Sequence, residues 1–142
     1  MYTFDDRYFG YKVTFNGLLG ADEIAAWREE VEERLRDQSE PFAMLIDLQN
    51  MTPFRATMHA LEPLSADAEE EFHRTMETLR RHGMKRCAVV VDNRAIRSHF
   101  HTVSRKAGRS KWERYIDVSS STNWMRIAMD WLTRGVDPRA KN

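Results

Sequence analysis

Histidine is the residue type that most readily binds a metal ion or moves a proton near neutral pH, and the chain contains five histidines. Only His99 and His101 are close in sequence, with Phe100 between them. Each residue of an α-helix turns the chain by about 100°, so these two side chains would point about 200° apart and could not share a metal ion. Metal ligands on one helix are usually about four residues apart. The histidines therefore predict no metal site, and we expect no cofactor.

The single cysteine, Cys87, could act as a nucleophile if a histidine from elsewhere in the chain activated it. The alternative is a small buried side chain, because Cys87 begins the apolar run Cys87–Val91. The sequence has no glycine-rich nucleophile elbow, no flanking base and no phosphate loop of the G-x-G-x-x-G or Walker type. These observations predict a protein that is not an enzyme.

Basic residues are concentrated between positions 94 and 114, where seven of them and a single acid give a net charge of +6. The predicted basic surface consists of Arg94, Arg97, Arg105, Lys106, Arg109 and Lys111. Such a segment can bind a protein partner, phospholipid headgroups or RNA, or it can be a solvated helix face. The whole chain has 22 basic and 22 acidic residues, so its net charge gives no reason to expect a nucleic-acid binder.

Acidic residues are concentrated in two other segments. Positions 21–40 hold eight acids and three arginines, and positions 62–71 hold five acids and no base, so each segment has a net charge of −5. Surfaces of opposite charge make a homodimer possible, provided that they meet across its symmetry axis.

Four segments have the patterns of β-strands that could hold these residues in place. Tyr11–Asn16 alternates apolar and polar side chains, as a half-buried strand does, and aromatic residues before it suggest an additional edge strand. Phe42–Ile46 and Cys87–Val91 are apolar throughout, which is typical of strands buried on both faces, and we expect the second to be central. Tyr115–Val118 is a short fourth strand.

Apolar residues three and four positions apart predict four amphipathic helices. Their apolar stripes are Ile24, Trp27, Val31 and Leu35; Ala68, Phe72, Met76 and Leu79; Ile96, Phe100, Val103 and Ala107; and Trp124, Ile127, Ala128, Trp131 and Leu132. Asp22 is the expected cap of the first helix, and Ser65 or Asp67 of the second. Strands that alternate with helices predict an α/β fold with a mostly parallel sheet of four to five strands and about four helices. The first strand or strands could pair antiparallel at an edge.

The length of 142 residues suits one domain, 1–142, and no linker or repeat interrupts it. Residues 1–6 lack the basic and apolar regions of a signal peptide, and the longest apolar run is too short to cross a bilayer. A lone cysteine also fits a reducing compartment. The predicted location is therefore cytoplasmic.

Three stretches resemble the STAS fold of anti-sigma-factor antagonists and, more closely, the SpoIIAA-like family. They are the strand and turn Tyr11–Gly20, the apolar strand Met44–Leu48 that contains Asp47, and the ending from Arg114 to Leu132. The resemblance covers about residues 8–138. It implies a STAS-like sheet and a non-enzymatic regulatory module that binds a protein partner.

Anti-sigma-factor antagonists carry a phosphorylatable serine in a D-S-S-G-like turn after the corresponding strand, and this chain departs from that pattern. The region reads Thr52-Pro53-Phe54-Arg55-Ala56-Thr57-Met58, without the Asp-Ser pair and without glycine. Thr57 is the hydroxyl nearest the expected position, and Arg55 could receive a phosphate charge. The alternative is that Thr57 is an ordinary loop residue or a first-turn cap.

The SpoIIAA-like family is also similar in fold to lipid-binding CRAL-TRIO domains, which implies a possible apolar ligand beneath a mobile segment. This segment, residues 51–64, contains Pro53 and Pro63, and we call it the predicted lid. Its apolar side chains are Met51, Phe54, Met58, Leu61 and Leu64. Methionine adapts readily to irregular cavities. The alternative function is therefore a small carrier or sensor of an apolar ligand, which could act at a membrane surface. The other interpretation is that these five residues complete the core.

Overall fold

The computed structural model describes residues 2–141, which form a five-stranded sheet, a small hairpin and four α-helices. The sheet strands are β1 (Tyr2–Arg7), β2 (Gly10–Leu18), β3 (Phe42–Thr52), β6 (Met84–Val91) and β7 (Glu113–Asp117). The hairpin consists of β4 (Arg55–Ala56) and β5 (Leu61–Glu62). The helices are α1 (Ala21–Arg34), α2 (Ala66–Arg81), α3 (Arg94–Lys106) and α4 (Trp124–Arg134), and short 3-10 turns cover Val118–Ser120 and Pro138–Lys141.

The strand order in the sheet is β1-β2-β3-β6-β7. β1 pairs antiparallel with β2 at one edge, and the other three pairs are parallel. The predicted fold class is confirmed, including the number of helices and the antiparallel first strand. β3 rather than β6 is the middle strand, although β6 is interior and pairs on both sides.

β2 and β3 are longer than their sequence patterns predict, because their ends pair with each other in the sheet. β3 continues past Asp47 to Thr52, and β2 continues to Leu18 where a turn was expected. After a register shift, Gly17 pairs with Met51 and Leu18 with Thr52. Of these four residues only Met51 is both apolar and buried, so a search for apolar periodicity does not find the extension.

Polar side chains mark the beginnings of two helices. The Ser65 hydroxyl accepts a hydrogen bond from the Ala68 amide at 3.2 Å, and the Asn93 side chain accepts one from the Ile96 amide at 2.8 Å. The prediction for Asp22 is wrong, because α1 begins at Ala21 and Gly20, two residues before Asp22, is its N-cap. Asp22 lies in the first turn, where an acidic side chain is favoured by the helix dipole.

The two faces of the sheet are covered unequally. α1, α2 and α3 pack on one face, where residues such as Trp27, Phe72 and Phe100 meet alternate side chains of β3 and β6. α4 packs on the other face, where Trp131 and Leu132 meet the intervening side chains. α3, which carries four of the six residues of the predicted basic surface, therefore lies on the face of the sheet that three helices cover.

Candidate functional site

The parallel strands end together at one edge of the sheet, which we call the carboxyl edge. β2 ends at Leu18, β3 at Thr52, β6 at Val91 and β7 at Asp117. In open α/β sheets ligands usually bind beyond the carboxyl ends of the strands. The predicted lid (residues 51–64) and the first turn of α3, with Arg94 and Arg97, both follow such ends. The other predicted basic residues lie at the end of α3 and before β7, at the opposite edge of the sheet.

The structure separates the five predicted lid residues into buried and exposed ones. Met51 and Leu64 are buried in the main core, and Leu61 is half-buried against it. Phe54 is 45% exposed and Met58 is 89% exposed. The five residues therefore do not converge on one space, although binding of an apolar ligand by this segment stays a prediction.

The hairpin explains why Phe54 and Met58 project into solvent. Arg55 pairs with Glu62 in the ladder, and their side chains form an ion pair at 3.4 Å. The Thr57 amide donates to the Ala60 carbonyl at 2.8 Å, which closes the turn with Met58 at its tip.

The Thr57 hydroxyl belongs to this turn. Its oxygen accepts a hydrogen bond from the Ala60 amide at 3.0 Å and a longer one from the His59 amide at 3.3 Å. Thr57 is exposed, but it lies nine residues before the first residue of α2, so it is not a first-turn cap. Phosphorylation of Thr57 stays a prediction, and it would compete with these turn bonds.

Leu18 adds a third exposed apolar side chain at the carboxyl edge. It is 57% exposed at the end of β2, and it pairs with Thr52, two residues before Phe54. We call Leu18, Phe54 and Met58 the apolar rim. Large exposed apolar side chains that are grouped in this way commonly mark an interaction surface.

Five of the six residues of the predicted basic surface are exposed, and the role of this surface in binding stays a prediction. Arg94, Arg97, Arg105, Lys106 and Lys111 are exposed. Arg109 is wrong, because only 3% of it is exposed. Its Nε atom lies 3.0 Å from the Glu113 carboxylate, and a terminal nitrogen lies 2.6 Å from Nδ1 of His73. Arg109 is therefore part of a buried polar cluster.

Glu113 is the centre of this cluster and is itself buried. It accepts hydrogen bonds from Arg109 and from the Tyr115 hydroxyl. Burial raises the pKa of Glu113, although the charge of Arg109 opposes that shift. Burial and the neighbouring Glu113 carboxylate also raise the pKa of Tyr115 well above its usual value. The cluster fixes the loop between α3 and β7 rather than presenting a reactive group to solvent.

Cys87 and His99 are also buried or bonded. Cys87 is fully buried, and burial raises the pKa of its thiol well above the usual value, so the reactive thiolate is disfavoured. The Nε2 atom of His99 lies 2.6 Å from the Glu69 carboxylate. Within residues 2–141, no three His, Cys, Asp or Glu side chains are grouped so that they could hold a metal ion.

Sequence reasoning missed a groove beside β7. The groove has a volume of about 400 Å³ and lies between α3 and α4, with Arg94 and Arg97 on one side and Ser120 and Ser121 on the other. Asp117 lies in it, and its carboxylate accepts hydrogen bonds from Ser119 and Ser120. The signal was an aspartate at the end of a buried strand, followed after Val118 by consecutive serines.

Comparison with known proteins gives a single type of match. No protein-family model matches the chain, and no curated protein matches it. Among solved structures, the chain is similar to an uncharacterised protein of the DUF3478 family from Shewanella loihica PV-4, described as having a SpoIIAA-like fold. The TM-score is 0.58, the identity is 15%, and the match covers 93% of this chain and 92% of that one.

The fold is SpoIIAA-like. The match extends over nearly the whole of both chains, so it includes the carboxyl edge as well as the sheet. At 15% identity the match shows the fold and says nothing about function.

The SpoIIAA-like fold here contains no membrane-crossing helix among the residues that the structure describes, because none is long and apolar enough. The predicted cytoplasmic location stays a prediction.

Proposed function

We propose that this chain is a non-enzymatic regulatory module that binds another protein through its apolar rim. The observation that carries the proposal is the exposure of Leu18, Phe54 and Met58 at the carboxyl edge. Burying a large apolar side chain against a partner stabilises a complex by about 1.5–3 kcal/mol. A partner with a complementary apolar surface would supply that burial.

The state of the reactive side chains supports a non-enzymatic role. The Cys87 thiol is enclosed in the core, and His73 and His99 are bonded to Arg109 and Glu69. A general base must reach the proton that it removes, and a nucleophile must reach its substrate. These groups instead hold elements of the fold together.

The alternative, a carrier of an apolar ligand, requires more rearrangement. Met51 and Leu64 already pack in the core, so a ligand beneath the segment would have to displace them. A protein partner needs no such displacement, because Phe54 and Met58 are accessible as they stand. The geometry therefore favours the protein partner.

A matched pair of variants tests the proposal. The double substitution Phe54→Ser and Met58→Ser removes the hairpin part of the rim, and Met125→Ser changes a side chain of α4 with similar exposure to Phe54. Tagged chains are used to purify partners from native cells, and the affinity of the recovered protein is then measured by calorimetry. We expect binding to be retained by Met125→Ser and weakened at least about tenfold by the double variant.

Equal affinity of all three chains would contradict the proposal. Native mass spectrometry of the gently purified chain tests the alternative. A stoichiometric apolar molecule that is lost when Met51 is changed to Ser would favour the carrier instead.

A further inference from the structure

The groove beside β7 lies apart from the apolar rim, and its lining contains two arginines and one aspartate. Arg94 and Arg97 come from the first turn of α3, Ser120 and Ser121 follow β7, and Ile127 comes from α4. A second hollow of about 470 Å³ shares Ser121 and Ile127 and adds Arg126, Asp130 and Arg134. Volumes of this size are typical of small-molecule sites.

The arginines of the groove keep donors available for a ligand. Neither Arg94 nor Arg97 makes an ion pair within 4 Å with a residue that the structure describes, and the same is true of Arg126. The Nε atom of Arg97 donates to the Tyr115 carbonyl at 3.1 Å, which anchors the guanidinium in the groove. A guanidinium presents its remaining donors as a planar fork that matches phosphate oxygens.

The one carboxylate in the groove is already satisfied. One oxygen of Asp117 accepts bonds from the Ser119 amide at 2.9 Å and the Ser119 hydroxyl at 2.7 Å. Its other oxygen accepts a bond from the Ser120 hydroxyl at 2.7 Å. The hydrogen bonds from Ser119 and Ser120 and the positive charge of Arg97 keep the pKa of Asp117 below its usual value, against the effect of burial. Asp117 therefore orders the serine loop and offsets one of the two arginine charges, so the groove has a net positive charge of one.

The neighbourhood of the groove has the positive potential that these side chains imply. His101 lies on α3 one turn beyond Arg97. Burial lowers the pKa of His101, and Arg97, Arg105, Arg139 and Arg114 lower it further. Arginines from α3, β7 and the C-terminal segment thus contribute to the positive electrostatic potential around the His101 imidazole.

We propose that this groove binds the phosphate monoester group of a small organic molecule. Arg94 and Arg97 bind the phosphate oxygens, and Ile127 and Pro138 contact the organic part. The inference is independent of the proposed protein partner, because none of these residues belongs to the apolar rim.

Glycerol 3-phosphate is the probe for a free ligand, and vesicles of phosphatidylcholine with phosphatidic acid are the probe for a lipid-borne one. Calorimetry measures the first and vesicle flotation the second, with the full chain in both. The double variant Arg94→Ala and Arg97→Ala is compared with the double variant Lys106→Ala and Lys111→Ala, which removes the same charge outside the groove. Circular dichroism verifies that both variants are folded.

We expect the groove variant to weaken binding at least about tenfold and the control variant to change it less than about threefold. We also expect bound glycerol 3-phosphate to raise the pKa of His101, measured by NMR. Binding of the phosphatidic acid vesicles alone supports the same phosphate chemistry and assigns it to a lipid.

Three results overturn the proposal. They are no binding of either probe, equal weakening by the two double variants, and equal binding of vesicles that contain phosphatidylglycerol, a phosphodiester, in place of phosphatidic acid. Loss of the protein partner through the apolar rim would leave all of these measurements unchanged, so the two proposals fail separately.

Discussion

Arg109 lies inside the molecule because its charge is balanced at short range. It is four residues before Glu113, and their ion pair is 96% or more buried at both side chains. Removal of one partner from a buried ion pair leaves an uncompensated charge, which typically costs about 3–5 kcal/mol.

We therefore expect Arg109→Ala to lower the free energy of unfolding by about 3–5 kcal/mol. Lys111→Ala, two residues away and exposed, should change it by less than about 0.5 kcal/mol. Urea titration followed by circular dichroism measures both values. Similar small losses in the two variants would mean that Arg109 is not held in the buried cluster.

Asp137 provides a second test at the scale of single residues. Hydrogen bonds from Arg114 and Arg139 hold its pKa well below the usual value. In the unfolded chain an aspartate has a pKa of about 3.9, so the unfolded state binds the proton first as the pH falls. The contribution of Asp137 is therefore present at neutral pH and is lost as the pH decreases below about 4.

The variant Asp137→Asn removes this pH-dependent contribution. We expect it to be less stable than the unchanged chain at pH 7, and we expect the difference to shrink between about pH 4 and pH 2. Urea unfolding at a series of pH values measures this difference. A difference that does not depend on pH would show that the carboxylate charge is not responsible.

At the scale of elements, the connection from β1 to β2 depends on a close approach of two backbones. Gly10 has a φ of +146°, and a Cβ atom added there would lie 2.1 Å from the Ala43 carbonyl oxygen. No rotation of a side chain can relieve that overlap, because both atoms are fixed to the backbone. Gly10 therefore allows β2 to begin beside β3.

We expect Gly10→Ala to destabilise the fold by about 2 kcal/mol or more. Gly20→Ala is the matched control, because the N-cap of α1 has a negative φ and open space around the added atom. Its cost should stay below about 1 kcal/mol. Thermal and urea unfolding compare the two, and equal losses would refute the steric explanation.

Trp131 is the largest side chain that α4 buries against its face of the sheet. Trp131 is 5% exposed, its indole donates to the Cys87 carbonyl at 2.9 Å, and the Arg114 guanidinium lies 4.4 Å from its ring centroid. We expect Trp131→Ala to cost about 3–5 kcal/mol, whereas Met125→Ala on the same helix should cost less than about 0.5 kcal/mol. Hydrogen exchange should show α4 opening before β3. Equal protection of α4 in the two variants would contradict this.

The sequence could predict elements better than it could predict sites. Apolar periodicity locates strands such as Cys87–Val91 and helices such as α2, because burial and periodicity have the same cause. It cannot find Gly17 and Leu18 as strand residues, since those are held by β3 rather than by their own apolar pattern. It also cannot distinguish Arg109 from Lys111, because the difference lies in Glu113, Tyr115 and His73, which only the fold brings together.

At the scale of the whole molecule, opposite charges lie on different helices. The acidic segments 21–40 and 62–71 include all of α1 and the beginning of α2, and the exposed basic residues lie on α3 and just after it. The net charge is zero at pH 7, so no overall repulsion keeps molecules apart. The predicted homodimer would use these complementary surfaces.

We therefore expect self-association near pH 7 at low salt and its loss as the ionic strength rises above about 0.15 M, where charges are screened beyond about 8 Å. Sedimentation velocity at several salt concentrations measures the change. Association that strengthens with salt would contradict the charge-based dimer and indicate an apolar interface. Loss of that association in the double variant of Phe54 and Met58 would then place the interface at the apolar rim.

β7 is an edge strand, yet all five of its residues are buried. Arg97 donates a hydrogen bond to the Tyr115 carbonyl of this strand. The sheet can therefore be extended on one side alone, beside β1, where Asp5, Asp6 and Arg7 make the edge charged. Fibres that grow by strand addition need two available edges in every molecule. With a single available edge, pairing of sheets stops at two molecules, so the covered flank of β7 makes this fold resistant to polymerisation.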